Sequence, residues 1–450
     1  MSATTSGVSS RPERAVGKAA RRQVPRSSLG DWSPDRRPRT ALELVLAQRE
    51  TRLADLAPIR HARMATSPWH FYRGAAAVMA ADLATAPHTD LRVQLCGDAH
   101  VLNFGLWATP ERNLAFDLRD FDETLPGPFE WDVKRLLTSL VVVARANHQT
   151  ATADRAVASA LRSYRSHLSE FVDAAELDLW YDVTRVDRLL DVFTEPEVRE
   201  RVSAHIDKKA RRRTSRGAHE KLTEVVDGRI RITENAPFRV HLGDAEKAHA
   251  LRAYERYRLS LEEHRRCLLD RFRLVDVVRQ VVGVGSVGMR VYLALLEGRN
   301  GDDPLFLQLK QAGPSVYERY LSPSTHTNHG QRVVVGKRLI QSATDIFVGW
   351  TEVDDVHYYV RQFRDMKVIP DSERLAPFLA DFAGACGAVL ARAHARTGDA
   401  TAIAAYIGAG REFDRAMTTY AHAYADQNER DHADLADAVA RHEVAFGPSW

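Results

Sequence analysis

The stretch "VVGVGSVGMRVYLALLEGRNGDDPLFLQLKQA", residues 281–312, decides how the chain is read. It sets Gly283, Gly285 and Gly288 in a GxGxxG pattern, with Ser286 between the second and third. A dinucleotide-binding fold needs a helix directly after such glycines, because the helix N-terminus holds the pyrophosphate. The next residues here, "MRVYLALLEG", are rich in β-branched and aromatic side chains and close on Gly298, which predicts a strand. The turn "EGRNGDDP" then leads into another strand, "LFLQLKQA". Glycines between two antiparallel strands form a flap whose backbone amides approach phosphates without side-chain obstruction. The last strand brings Lys310 up among apolar residues, where an ammonium is costly unless an anion meets it. Lysine occurs only nine times in the chain, so this one is not incidental.

Working outward, "RVVVGKRLIQ", "DIFVGWTEV" and "HYYVRQFRD" extend the β-rich region to about residue 365. Upstream, 245–270 reads as helix and the Asp-Gly in "LTEVVDGRIRITENAP" as a hairpin turn. The charge block "KKARRRTSR" at 208–216 reads as a solvated connector. Helices are expected at 41–57, 71–87, through "EWDVKRLLTSLVVVARA", at 151–176 and again from 372. The expected division is a disordered basic tail (1–40), a helical lobe (41–205), a connector (206–271), a β-rich lobe (272–365) and C-terminal helices (366–450). The tail carries nine Arg or Lys against three Asp or Glu, with many Ser and Pro, and has no apolar export-signal core.

Over 450 residues the formal charge is only +3, which gives no global electrostatic case for a nucleic-acid partner. No apolar run is expected to span a membrane. Cys96, Cys267 and Cys386 are scattered and lack metal or disulfide spacing, so a reducing cytoplasm is the expected setting.

Two polar bursts interrupt the helical part: "QLCGDAHVLNFG" (94–105) and "LAFDLRDFDE" (114–123). Phosphoryl transfer requires a carboxylate near the acceptor hydroxyl and oxygen ligands for Mg²⁺. Asp98 and Asn103, five residues apart, have the spacing for a base and a metal ligand. Asp117, directly after "NLAF", is the expected second ligand, with Asp120 and Asp122 as further acids able to displace it. The competing reading is a two-metal hydrolase that adds His326, His329 or His394 to the same acids. Arg73, Arg361 and Arg364 are candidate cleft residues, and Asp132 is expected to brace its helix.

"CGDAHVLNFG" resembles the "HGDxHxxN" loop of aminoglycoside and choline phosphotransferase-like kinases, and "LAFDLRDFDE" resembles their metal segment. "EWDVKRLLTSL" is similar to the helix entry that comes after it. The resemblance implies an α+β, two-lobed kinase-like fold that uses ATP and Mg. In it Asp98 is the base, His100 a positioning residue, and Asn103 and Asp117, with Asp120 beside them, are metal ligands. Gly283, Gly285, Ser286, Gly288 and Lys310 would hold phosphates, with Glu318 in "SVYERYL" orienting the lysine. Cys96 stands where the loop's first histidine is expected, and the valine after the glycines comes one residue late.

The order is also reversed, since the glycine loop comes 185 residues after the Asp98 loop. A circular permutation would reconcile the two. Over roughly residues 45–430 the chain also resembles the bacterial domain of unknown function numbered twenty-two fifty-two. That resemblance rests on "FYRGAAAVMAADLA", "FDLRDFDETLPGPFEWDVKRL", "YYVRQFRDMK" and "LARAHARTGDA". The expected activity is phosphoryl transfer to a hydroxyl-bearing acceptor, small molecule or protein. A metal-dependent phosphoesterase and a non-catalytic nucleotide-binding regulator are the alternatives.

Overall fold

The computed structural model describes residues 11–191, 196–369 and 371–448. The fold is α+β. Its largest sheet has six antiparallel strands: β7 (Arg239–His241), β8 (Arg273–Gln280), β9 (Val291–Glu297), β10 (Pro304–Ala312), β11 (Gly349–Val353) and β12 (Val356–Gln362). They lie in the order β11-β12-β10-β9-β8-β7. The helix His329–Ile340 is inserted between β10 and β11, inside the region read as continuous β-structure.

Strand alternation explains why β9 is apolar at nearly every position. Tyr292, Ala294 and Leu296 face one cluster with Leu305, Leu307 and Leu309 of β10 and with Tyr254 and Tyr257 of the helix Asp244–Leu259. Leu293 and Leu295 face the opposite cluster with Phe306, Val278 and Leu222. Both faces are therefore covered. On β10 the second face also carries Gln308 and Lys310, by the same two-residue period. Lys310 pairs in register with Val291 on one side and with Tyr359 of β12 on the other.

The helical body is one core around Phe129–Ala146, Thr150–Val172, Leu379–Thr397 and Glu412–Ala440. The stretch Ala376–Thr397 is long and apolar enough, by composition alone, to cross a membrane; here it is mostly buried inside the protein. Two short antiparallel pairs carry the polar bursts: β1 (Arg92–Leu95) with β4 (Leu125–Pro128), and β2 (Phe104–Ala108) with β3 (Leu114–Leu118). The hairpin β5 (Thr223–Val226) and β6 (Arg229–Ile232) turns at Asp227 and Gly228, both at positive φ as a two-residue loop requires.

The basic tail departs from expectation. Residues 1–10 lie outside the described residues, but Arg11–Gln23 is a helix, and short 3₁₀ turns continue to Arg36. Its arginines have specific acceptors. Arg21 Nε and Arg26 Nη1 donate to the carbonyls of Tyr406 (3.0 Å) and Ile407 (2.7 Å), the free end of the helix Ala400–Ile407. Arg37 makes two-pronged pairs with Asp82 (2.7 Å) and Asp431 (2.9 Å) and is almost fully buried. Composition signalled disorder here, yet the arginines are capping and bridging groups.

The other helical expectations are broken where the sequence has a reason to break. Residues 41–57 divide into Ala41–Ala47 and a 3₁₀ turn, and 71–87 belongs to Pro68–Gly74 and Ala76–Thr85, interrupted at Ala75.

Candidate functional site

The loop after β1 is held from below by the first turns of Phe129–Ala146. Asp132 accepts the backbone amides of Cys96 (2.6 Å) and Gly97 (3.0 Å), so its carboxylate braces this loop, where the sequence suggested its own helix. Gly97 sits at φ +86°, and a Cβ there would stand 2.3 Å from the carbonyl oxygen of Glu123, so only glycine fits. Cys96 is buried, and its thiol donates to the carbonyl of Asp120 (3.2 Å). The residue that departs from the resembled motif thus ties the two polar bursts together.

Asp98 faces Arg135 (2.9 Å), which is buried against the Tyr72 ring. Burial raises the Asp98 carboxyl even against this guanidinium, which suits a proton acceptor poised above the ordinary carboxylate range. Asn103 donates its side-chain amide to the Asp98 carbonyl (2.6 Å), which leaves the amide oxygen for another ligand. His100 packs edge-on against Trp69, 3.9 Å from Asp98, with a buried Nδ1 that has no hydrogen-bond partner. Burial, then Arg73 and Arg135, push its pKa well down, so it is neutral.

The glycine loop joins β8 to β9 and is anchored at both valines. Val284 is buried with Ala41, Leu44, Phe71 and Leu435, and Val287 with Leu56 and Ile59. Leu53 N donates to the Gly288 carbonyl (2.7 Å), Arg52 to that of Val287, and Arg63 to that of Gly283 (2.5 Å). Gly288, at φ +95°, lies so close to Arg52 that a Cβ would stand 2.9 Å from its Cβ. The expected free flap is instead a clamped turn.

Lys310 is buried and paired with Asp122. Burial opposes its charge, but Asp122, Tyr359 and Asp120 together outweigh this and raise the pKa. Asp122 also accepts from the hydroxyls of Tyr359 (2.8 Å) and Ser286 (3.4 Å), so one carboxylate joins the lysine, the glycine loop and β12.

Two expected roles are corrected. Glu318 does not orient Lys310. Its carboxylate closes a capping box on Ser315 (2.9 Å) and accepts from Ser324 N (3.2 Å), with Arg332 3.7 Å away. Local capping by a Ser-x-x-Glu sequence won over the long-range pairing. Asp117 lies on β3, fully buried, paired with Arg392 (2.5 Å) and bonded by Ser342 N (2.8 Å) and Oγ (2.9 Å). It is a structural carboxylate and does not reach the cleft.

Asp120 is placed differently. It lines the cleft, and its buried Oδ1 has no hydrogen-bond partner. Burial works against its charge, yet Lys310, Arg361 and Arg119 hold its pKa below the ordinary carboxylate range.

One cleft of about 440 Å³ brings these groups together. Asp98, His100, Asn103 and Asp120 line it together with Gly283, Gly285, Ser286 and Lys310. The cleft holds most of the expected set; Asp117, Glu318 and Gly288 are not among its lining residues.

A family model described as "Uncharacterized protein conserved in bacteria (DUF2252)" matches residues 52–438. The chain belongs to this family. No curated protein and no solved structure matches it. In this DUF2252 member the histidines of the hydrolase alternative lie elsewhere. His394 is buried against Tyr164 (2.8 Å) and Asp132 (3.7 Å), while His329 packs on His357. Among the described residues no cluster of three or more His, Cys, Asp or Glu could hold a metal by itself.

Sequence reasoning missed several residues of the DUF2252 cleft: Asp122 as the lysine's partner, and also Arg119, Arg213, Lys337 and Lys367. The scarcity of lysine that singled out Lys310 applies equally to Lys337 and Lys367. Glu123 was missed as well. Burial raises its carboxyl to about 7, despite a hydrogen bond from Val316 N (2.7 Å). Its folded pKa exceeds the ordinary 4.5, so between these values the native state holds a proton that the unfolded state has lost. Stability from this group is therefore full below pH 4.5 and is lost as pH rises to 7. The melting temperature of Glu123→Gln, relative to wild type, should climb across that window and level off above it. A difference that stays constant from pH 4 to 8 would remove Glu123 as the cause.

Proposed function

We propose that this protein is a Mg·ATP-dependent phosphotransferase with kinase-like elements in circularly permuted order, acting on a hydroxyl-bearing acceptor. One observation carries the reading. One cleft gathers the glycine loop and Lys310 with Asp98, Asn103 and Asp120, although 185 residues separate the loops and their order is reversed. Protein kinases cover the phosphates with a glycine-rich loop and hold them with a lysine on the third strand of the small lobe. Here the glycine loop joins β8 and β9, Lys310 lies on β10, and a helix intervenes before β11 and β12.

The residues fit the cofactors. Mg²⁺ is usually held by one or two carboxylates together with nucleotide phosphates and water, so Asp120 with the Asn103 amide oxygen is a sufficient protein contribution. The orphaned Oδ1 of Asp120 is the group such an ion would satisfy. Held by Asp120 and Asn103, the ion would supply positive charge against the phosphates. Lys310 would grip a phosphate, Asp98 would accept the acceptor's proton, and Arg135 would fix the Asp98 carboxylate. Asp122 holds Lys310 in the resting cleft, while the helix His329–Ile340 presents Arg332 to the Asp122 and Thr124 carbonyls (2.7 and 2.6 Å).

The test is a thermal-shift titration with Mg·ATP on wild type and Lys310→Ala. A ligand at 100 times its Kd stabilises the folded state by about 2.7 kcal/mol. Wild type should show a shift of that order, and Lys310→Ala little or none. Absence of a shift in wild type would falsify the reading. Binding without turnover over a broad acceptor panel would identify a nucleotide-binding regulator instead.

A further inference from the structure

The cleft beyond Lys310 is walled by cations that its phosphate grip does not use. Arg361 on β12, Arg364 and Lys367 just after it, Arg119 beside Asp120, and Arg213 after the helix Pro196–Arg212 all line it. Among the described residues none of the five has a carboxylate in ion-pair range, and the side chains of Arg213 and Lys367 make no hydrogen bond. Arg361 and Arg119 donate only to neutral oxygens, Gln308 Oε1 (3.1 Å) and the Leu102 carbonyl (3.0 Å).

Asp120 lies near four cations, Lys310, Arg361, Arg119 and Lys367, and Asp345 and Asp365 are the further acids on this part of the cleft lining.

The local backbone assembles this wall. Arg364 and Met366 adopt φ of 57° and 50°, a left-handed conformation rare outside glycine, and Met366 N donates to the Arg213 carbonyl (2.8 Å). The sheet above contributes the polar Gln280 and Gln308, while Trp107, Phe363 and Ile369 supply the apolar part of the same lining. Gln308 is two residues from Lys310 on the same strand face, so this wall begins about 7 Å from the lysine.

We propose that Arg119, Arg213, Arg361, Arg364 and Lys367 form a second phosphate-binding subsite, separate from the grip of Lys310. The assignment deepens the phosphotransferase reading, on which its meaning as a substrate site rests. An acceptor bearing a phosphate would be anchored here with its hydroxyl directed toward Asp98. The same chemistry would also suit the nucleotide's own phosphate chain, if that chain enters first and leaves the base outside.

The experiment is calorimetric titration of inorganic pyrophosphate into the full chain, with and without a saturating non-hydrolysable Mg·ATP analogue. Wild type and Lys310→Ala should both bind pyrophosphate. The double variant Arg364→Gln/Lys367→Gln should bind it at least tenfold more weakly, with an unchanged melting temperature as the check on folding. Should that variant fail to fold, Arg213→Gln, half-exposed, gives the same reading.

Binding that persists beside the analogue assigns the subsite to the acceptor. Competition with the analogue, with both ligands weakened by the double variant, assigns it to the nucleotide's own phosphates. No pyrophosphate binding by wild type, or binding abolished by Lys310→Ala and untouched by the double variant, overturns the subsite. Pyrophosphate binding sensitive to Lys367 without any Mg·ATP binding would leave the subsite standing and remove the phosphotransferase reading.

Discussion

Asp120→Asn is expected to lower Mg·ATP-dependent phosphoryl transfer by about 10²–10³-fold, the usual effect of removing one preorganised electrostatic contact in a closed site. The substitution keeps the shape of the side chain and replaces an anionic oxygen by an amide. An amide nitrogen turned toward the metal position repels a cation, and turned toward Arg119, Arg361 and Lys367 it adds a donor where only acceptors help. Folding should survive, because the open cleft admits counter-ions to those three cations. Initial rates of wild type and variant, measured across a Mg²⁺ and Mn²⁺ series, provide the check. Equal rates at saturating metal would show that Asp120 is not a ligand.

The neighbouring acid, only three residues away, should behave in the opposite way. Asp117→Asn is expected to destabilise the fold by about 3–5 kcal/mol, the cost of removing one partner from a buried ion pair. Arg392 is 1% exposed and would keep its charge with its nearest carboxylate gone. The anchor that Ser342 makes on the same oxygen would weaken too, loosening the junction between β3 and the segment after His329–Ile340. Chemical denaturation should show a lower midpoint at constant slope, while turnover per folded molecule stays near wild type. A wild-type midpoint together with lost turnover would return Asp117 to the metal site.

That pair of acids marks where the sequence is legible and where it is not. The alternation of β9 and β10, the glycine turn and the polar loop are readable, because each depends on residues adjacent in the chain. The choice among Asp117, Asp120 and Asp122 is not readable. Asp117 continues the strand's inward face and meets Arg392, 275 residues further on, a contact with no local signal. Glu318 misleads for the converse reason. Its role is local, a capping box legible in "SVYE", whereas a buried lysine calls for a partner at long range. The helix His329–Ile340 is hidden in a valine-rich run whose β propensity is overridden by packing against β11 and β12. The arginines of residues 21–37 look like solvated charge because their acceptors are carbonyls and carboxylates near the other end of the chain.

The clasp of Asp122 on Lys310, Ser286 and Tyr359 turns ligand entry into a substitution. A phosphate arriving at the lysine must evict a resident carboxylate that mimics it, so the resting protein is already loaded with a tethered surrogate. Apparent affinity is then the intrinsic affinity scaled by the fraction of time the clasp is open; at about 1% open, a ligand binds about a hundredfold more weakly than its contacts alone would give. Single phosphates and other weak anions lose that contest, while a polyphosphate with several simultaneous grips can win it. The clasp therefore acts as a threshold at Lys310 alone, holding that one position against common small anions without any moving domain.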